Sequence, residues 1–174
     1  DIALENFEKI YEAVGNRIAA VFISGTDFGT QKGPVMSNAS YQRLYMPFHK
    51  RINDWVHKHM SWKTFIHSCG SVEQLIADFI EAGFDILNPV QCSADNMDPL
   101  QLKAKYGDRI TFWGGGVDTQ STLPFGTPEQ GRREVRERIH IFGPGGGCVC
   151  NTVHNVEPKI PVQNVLAMYK ALHD

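Results

Sequence analysis

The sequence predicts an α/β fold in which about five βα units with parallel strands follow one N-terminal helix. Short apolar runs alternate along the chain with longer segments of helical periodicity. Chemically reactive side chains follow several of these runs, and parallel α/β folds bind ligands at the carboxyl ends of their strands. Five strands in 174 residues indicate either an open sheet or the C-terminal part of a (β/α)8 TIM-type barrel.

The first third of the chain is predicted to form a helix, a strand and a second helix. Apolar residues at helical spacing predict a helix over 3–14, and the β-branched run at 18–24 predicts a strand buried on both faces. A long loop then leads to a helix over 38–59, which begins at the N-cap Ser37 and contains a kink at Pro47.

Four further βα units follow, and we treat residues 1–174 as a single domain. Capping-box patterns at 71–74, 98–101 and 127–130 predict the start of three helices. The predicted strands are 63–69, 84–90, 110–115 and 148–153, and the last helix is 162–173.

Composition and charge exclude two classes of partner. The chain is 42% hydrophobic and has a formal net charge of -2, so it has no basic surface of the kind that binds nucleic acid. No apolar run approaches the roughly 20 residues that span a bilayer. The four cysteines do not form the framework of a small disulfide-rich secreted protein, so we expect free thiols and a cytoplasmic location.

His67 and Cys69 are two residues apart at a predicted strand end. Positions i and i+2 of a strand point to the same side, so both side chains can reach one ion. Zinc favours thiolate and imidazole ligands, and its catalytic sites have three protein ligands and one open position. The alternative is that both residues only pack in the core.

The last predicted strand offers candidates for a third ligand, namely Cys148, Cys150 and His154. They share parity if the strand is regular. Cysteine also packs well as a small buried residue, so core packing is a strong alternative for Cys148 and Cys150. His154 lies just past the strand and is the favoured third ligand or proton donor.

Two aspartates, Asp27 and Asp118, lie in glycine-flanked loops after predicted strands. Each is a candidate site residue, with an Asx-turn or capping role as the alternative. Asn88 and Gln91 also follow a strand. The glycine runs at 114–116 and 143–147 do not have the spacing of a dinucleotide-binding motif.

The segments "DFGTQKGPVMS", "HSCGSV", "LIADFIEAGFDILNPVQ", "MDPLQLKAKYGDRITFWGGGVDTQ", "LPFGTPEQ" and "GGGCVCNTVHNV" resemble the uroporphyrinogen decarboxylase superfamily, in particular its corrinoid-dependent methyltransferase-like branch. The resemblance covers nearly the whole chain and only the C-terminal half of the family's domain. It implies a (β/α)8 barrel of which this chain supplies strands four to eight.

The resemblance implies one of two activities. The methyltransferases bind zinc through an HxC pair and a later cysteine, and they move a methyl group between methylcobalamin and a thiol or pterin acceptor. His67 and Cys69 match the HxC pair, whereas His154 falls at the third position. Decarboxylases act on a porphyrinogen without metal, through an aspartate in a region that has no counterpart here.

We therefore expect a zinc-dependent methyltransferase with His67, Cys69 and His154 as metal ligands, and with His154 and Asp27 in catalysis. The polar groups that would position the acceptor or the corrin are Asn88, Gln91 and Asp118. The expected partners are a corrinoid protein or tetrapyrrole and a small methyl acceptor. The alternatives are a metal-free decarboxylase-like, tetrapyrrole-binding enzyme or an inactive barrel fragment, whose open sheet edges would invite self-association.

Overall fold

A computed structural model describes residues 2–173 as one parallel sheet of five strands flanked by helices. The strands lie in chain order, and each pairs in parallel with the next. This confirms the predicted α/β class, and an open sheet of five parallel strands is what part of a TIM-type barrel would form. The strands are β1 (Ala20–Ser24), β2 (Lys63–His67), β3 (Ile86–Asn88), β4 (Thr111–Trp113) and β5 (Cys148–Val149). The helices are α1 (Ile2–Val14), α2 (Asn38–Leu44), α3 (Met46–His59), α4 (Glu73–Glu81), α5 (Pro99–Tyr106), α6 (Thr122–Phe125), α7 (Pro128–Phe142) and α8 (Val162–Ala171).

Several predicted boundaries differ from the structure. The helix predicted over 38–59 is two helices, because the chain breaks at Tyr45, just before Pro47. The last strand ends at Val149 instead of 153. The short helix α6 was not predicted.

The predicted capping signals are confirmed at three helices and wrong at one. Ser37 is the N-cap of α2, and its side chain accepts a hydrogen bond from the backbone of Ser40. Asp98 accepts a hydrogen bond from the backbone of Gln101 at α5, and Thr127 forms a full capping box with Gln130 at α7. The pattern at 71–74 does not cap α4, whose N-cap is Val72 without a side-chain bond. None of the helices within residues 2–173 has the length and apolar character needed to cross a bilayer.

The two faces of the sheet have different surroundings. Ile66, Leu87 and Phe112 are in register with one another, are fully buried and pack in the main hydrophobic core with α4, α5 and α7. The opposite face carries Phe65, which stacks on Phe22, and Phe22 is 57% exposed. This second face is the one that would line a closed barrel, and it also carries His67 and Asn88 at the strand ends.

Candidate functional site

Three potential metal ligands meet at the carboxyl ends of β1 and β2. Asp27, His67 and Cys69 each offer one ligand atom, and these atoms lie within 4.8 Å of one another. His67 Nε2 is 3.4 Å from Cys69 Sγ and 3.8 Å from an Asp27 carboxylate oxygen. The structure thus brings the predicted pair together and adds Asp27 to it.

Two glycines explain why the Asp27 loop reaches the pair. A Cβ on Gly29 would lie 2.5 Å from the carbonyl oxygen of Cys69, and one on Gly70 would lie 2.6 Å from the backbone of Gly29. Gly70 also has a φ of +83°, which favours glycine. The two backbones therefore touch, and Asp27 Oδ1 accepts a hydrogen bond of 2.8 Å from the amide of Cys69.

Asn88 determines which nitrogen of His67 faces the other two groups. Asn88 Nδ2 donates to the carbonyl oxygen of Trp113 at 2.8 Å, so its Oδ1 faces His67. That oxygen can only accept, and it lies 2.5 Å from His67 Nδ1. His67 Nδ1 therefore carries the proton, and Nε2 presents its lone pair toward Cys69 and Asp27. Histidine ligands of metals commonly have such a partner on the second nitrogen.

Without a cation, the thiol of Cys69 is held protonated. Burial, followed by the charge and hydrogen bond of Asp27, raises the pKa of Cys69 to about 11. A bound cation acts in the opposite direction, because a coordinating thiol is deprotonated. The arrangement of a carboxylate beside a half-buried thiol therefore suits a bound metal ion.

A cavity of about 360 Å³ opens beside Cys69. His154 also lines this cavity, with Nδ1 3.7 Å from a carboxylate oxygen of Glu157. Within residues 2–173, His154 is outside the group of ligand atoms that lie within 4.8 Å of one another. The lining residues are Gln31, Cys69, Gln91, Thr119, Gln120, Val153, His154 and Glu157.

Neither Cys148, in β5, nor Cys150, just after it, lines this cavity. Cys148 pairs with Phe112, on the sheet face that packs against helices, and it contacts the main core. Cys150 packs in a second cluster with Val117 and Met168. The shared parity predicted for Cys148, Cys150 and His154 therefore does not bring them to one site, because the strand ends at Val149.

Gln91 and Asp118 organise the loops around the cavity. Gln91 Oε1 accepts from the amide of Gly70 at 3.0 Å, which ties the loop after β3 to the loop after β2. Asp118 Oδ1 accepts from the backbone of Gln120 at 3.0 Å, an Asx-turn that shapes the loop after β4. Gln91 lines the cavity and Asp118 does not.

Sequence reasoning missed Gln31 and Gln120, which line the cavity from two different loops. The sequence contains a repeat that could have pointed to these two residues. The dipeptide Thr-Gln occurs at 30–31 and again at 119–120, in the loops after β1 and β4. Each glutamine accepts a hydrogen bond from Gln91 Nε2, at 2.9 Å for Gln31 and 3.2 Å for Gln120.

The geometry defines a parallel α/β protein with a potential metal site at the carboxyl ends of its strands. The uroporphyrinogen decarboxylase (URO-D) family model matches residues 7–174, and the chain belongs to this family. Uroporphyrinogen decarboxylase of Pseudomonas fluorescens is 27% identical over 148 residues, which cover 82% of this chain and 39% of that protein. The enzyme of the same name from Psychromonas ingrahamii is 31% identical over 78 residues, 45% of this chain and 21% of that protein.

A solved structure shares the fold. A methyltransferase from Methanosarcina mazei matches with a TM-score of 0.70 and 20% identity, over 97% of this chain and 45% of that one. The chain thus spans less than half the length of these relatives. The proteins that it matches include relatives named for decarboxylation and a solved structure named for methyl transfer.

Proposed function

We propose that this chain carries the zinc site of a methyltransferase, with Asp27, His67 and Cys69 as the metal ligands. The observation that carries the proposal is their convergence within 4.8 Å at the strand ends. Imidazole, thiolate and carboxylate are the three ligand types that zinc takes in proteins, and three protein ligands leave a position open for substrate. The fold shared with a methyltransferase supports the proposal.

Two of the three donor atoms are already held in a position that suits zinc. His67 Nε2 has its lone pair available, since Nδ1 is bonded to Asn88. Asp27 Oδ1 is held in place by the amide of Cys69. Zinc bound there would supply a Lewis acid that stabilises an acceptor thiolate near neutral pH, by the same effect that lowers the pKa of bound water.

The other polar residues have distinct roles in this proposal. His154, which lines the same cavity as Cys69, accepts the proton that the acceptor thiol releases. Asn88 orients His67, Gln91 fixes the loop beside Cys69, and Asp118 shapes the loop after β4. The methyl donor is a corrinoid such as methylcobalamin on a partner protein, and the acceptor is a thiol, with a pterin as the second candidate.

We propose a cellular location and a partner for the sheet edges as well. Residues 1–174 act as a single domain of a cytoplasmic protein, where free cysteines stay reduced. Within the described residues, β1 and β5 are the sheet edges, and such edges pair readily with other strands. We propose that another strand-bearing segment, from a second copy or from the rest of a barrel, covers them. Sedimentation analysis tests for the second copy.

A metal-free decarboxylase-like enzyme is the second candidate, because the curated relatives carry that name. In that case His154 and Asp27 would contact a tetrapyrrole substrate, and the closeness of His67 and Cys69 would be incidental.

Metal analysis separates the two candidates. Protein purified without added metal should contain about one zinc per chain, and a His67→Ala, Cys69→Ala double variant should contain none. Asp27→Asn should bind zinc more weakly. Cys148→Ala, in the core, and His140→Ala, on the exposed face of α7, are matched controls that should keep the metal. A folded wild-type protein that stays free of zinc when zinc is supplied would overturn the proposal.

A further inference from the structure

We infer that the cavity beside Cys69 binds an uncharged acceptor that presents carbonyl or ether oxygens, and that it discriminates against anions. The inference rests on the proposed function only in taking this cavity as the acceptor site. At the roughly 30 Å³ that one water occupies in the liquid, 360 Å³ corresponds to about a dozen non-hydrogen atoms. A small acceptor, or one end of a larger one, therefore fits.

The amide groups in the cavity are fixed in orientation by one backbone bond. The amide of Gly70 can only donate, so the atom of Gln91 that it meets at 3.0 Å is the carbonyl oxygen. The Nε2 group of Gln91 then donates to the carbonyl oxygens of Gln31 and Gln120. Both of these residues therefore have their carbonyl oxygens in use and retain their –NH2 groups as hydrogen-bond donors.

These donors select for acceptor atoms on the ligand without adding charge. Gln31 and Gln120 both line the cavity, from loops on either side of Gln91. Burying an oxygen of the ligand beside them satisfies its hydrogen bonds, whereas burying an alkyl group leaves the amides unpaired. A site of this kind favours a ligand with an oxygen over one of the same size without it.

The charged groups around the cavity oppose an anion. Among residues 2–173, the lining includes Glu157 and no lysine or arginine. His154 is also in the lining, and its Nδ1 lies 3.7 Å from a carboxylate oxygen of Glu157. Sulfonate, phosphate and carboxylate groups are held in proteins by charged donors such as arginine, and this lining does not supply one.

Three thiols of similar size test the inference against the zinc-loaded protein. Methyl thioglycolate is uncharged and carries a carbonyl group, thioglycolate is its anionic counterpart, and 1-butanethiol has no oxygen. Affinities are measured by calorimetry, and the side-chain amide resonances of Gln31 and Gln120 are followed by NMR. The ester should bind at least about fivefold more tightly than either of the others. Its addition should shift both amide resonances.

Variants of Glu157, Gln31 and Gln120 test whether these residues cause the preference for the ester. Glu157→Gln should narrow the gap between thioglycolate and its ester to about twofold. A Gln31→Leu, Gln120→Leu double variant should lower the affinity for the ester about fivefold and leave 1-butanethiol unaffected, while Gln101→Leu on the surface of α5 should change neither. Because the wild-type ranking and the amide shifts need no variant, the test stands even if the double variant does not fold.

Tighter binding of thioglycolate than of its ester, or equal binding of ester and 1-butanethiol, would overturn the inference. If zinc does not bind at all, the proposed function fails, and the same titrations of metal-free protein still rank the three ligands.

Discussion

Replacing Asn88 by alanine should weaken zinc binding although Asn88 is not a ligand. The substitution removes the oxygen that accepts the Nδ1 proton of His67 and the donor to the Trp113 carbonyl. His67 can then rotate or carry its proton on Nε2, the atom that faces Cys69. Loss of such a partner typically lowers metal affinity about 10- to 100-fold, which corresponds to about 1.4–2.7 kcal/mol of binding free energy.

The variant is compared with Asn53→Ala, which provides a matched control. Asn53 is also buried, and its Nδ2 donates to a backbone carbonyl, that of Ala82, at 2.7 Å. Both substitutions remove the side-chain donor to a backbone carbonyl, so both should lower the free energy of unfolding by about 1–3 kcal/mol. Only Asn88→Ala should change the affinity for zinc, measured by competition with a chromophoric chelator at pH 7.

NMR gives a readout that does not depend on metal. In metal-free wild-type protein, the ¹⁵N shifts of His67 should report a proton on Nδ1, and in Asn88→Ala they should report a mixture of tautomers. Zinc affinities of Asn88→Ala and Asn53→Ala within twofold of each other would refute the positioning role.

Three further predictions concern proton binding and backbone geometry. Burial lowers the pKa of His49 to about 4, whereas an exposed histidine has a pKa of about 6.5. Between about pH 6.5 and pH 4 the unfolded chain therefore binds more protons than the folded chain. Stability should therefore fall as the pH drops through this window, by up to about 3 kcal/mol in denaturant titrations, and a folded His49→Gln variant that keeps the full loss would contradict this. In metal-free protein the pKa of Cys69 is about 11, so its alkylation by iodoacetamide should accelerate about tenfold per pH unit from pH 7 to 10. Asp27→Asn should speed this labelling at pH 8, and labelling of wild type at pH 7 as fast as that of a cysteine peptide would disprove the assignment. Gly114 has a φ of +124°, and a Cβ there would lie 2.0 Å from the carbonyl oxygen of Pro89. Gly114→Ala should cost about 3 kcal/mol or more in thermal unfolding, whereas Gly33→Ala, with open space around it, serves as the control; equal losses would argue against the close approach.

The fold was predictable because local patterns and global packing agree. Apolar runs such as 63–69 form strands whose alternate residues, Thr64 and Ile66, are buried against helices. The capping residues Asp98 and Thr127 begin their helices where the sequence predicts. The pattern at 71–74 failed as a cap because Ser71 lies one position before the observed N-cap, Val72.

The site was only partly predictable, because ligand geometry depends on where loops go after the strands end. The spacing of His67 and Cys69 places them on one side of a strand in any regular β-structure. Parity cannot be carried past the end of a strand, and β5 ends at Val149, so the condition for a shared face of Cys148 and His154 is not met. Asp27 reaches the pair through the contact between Gly29 and Gly70, which requires long-range packing that no local pattern reports.

Zinc K-edge X-ray absorption of the purified protein, with the Asp27→Asn and His154→Ala variants, tests the central claim most directly. We expect zinc to have one sulfur ligand at about 2.3 Å and nitrogen or oxygen ligands at about 2.0–2.2 Å. The spectrum should change in Asp27→Asn and remain that of wild type in His154→Ala. Two sulfur ligands, or a spectrum that changes with His154 and not with Asp27, would contradict it.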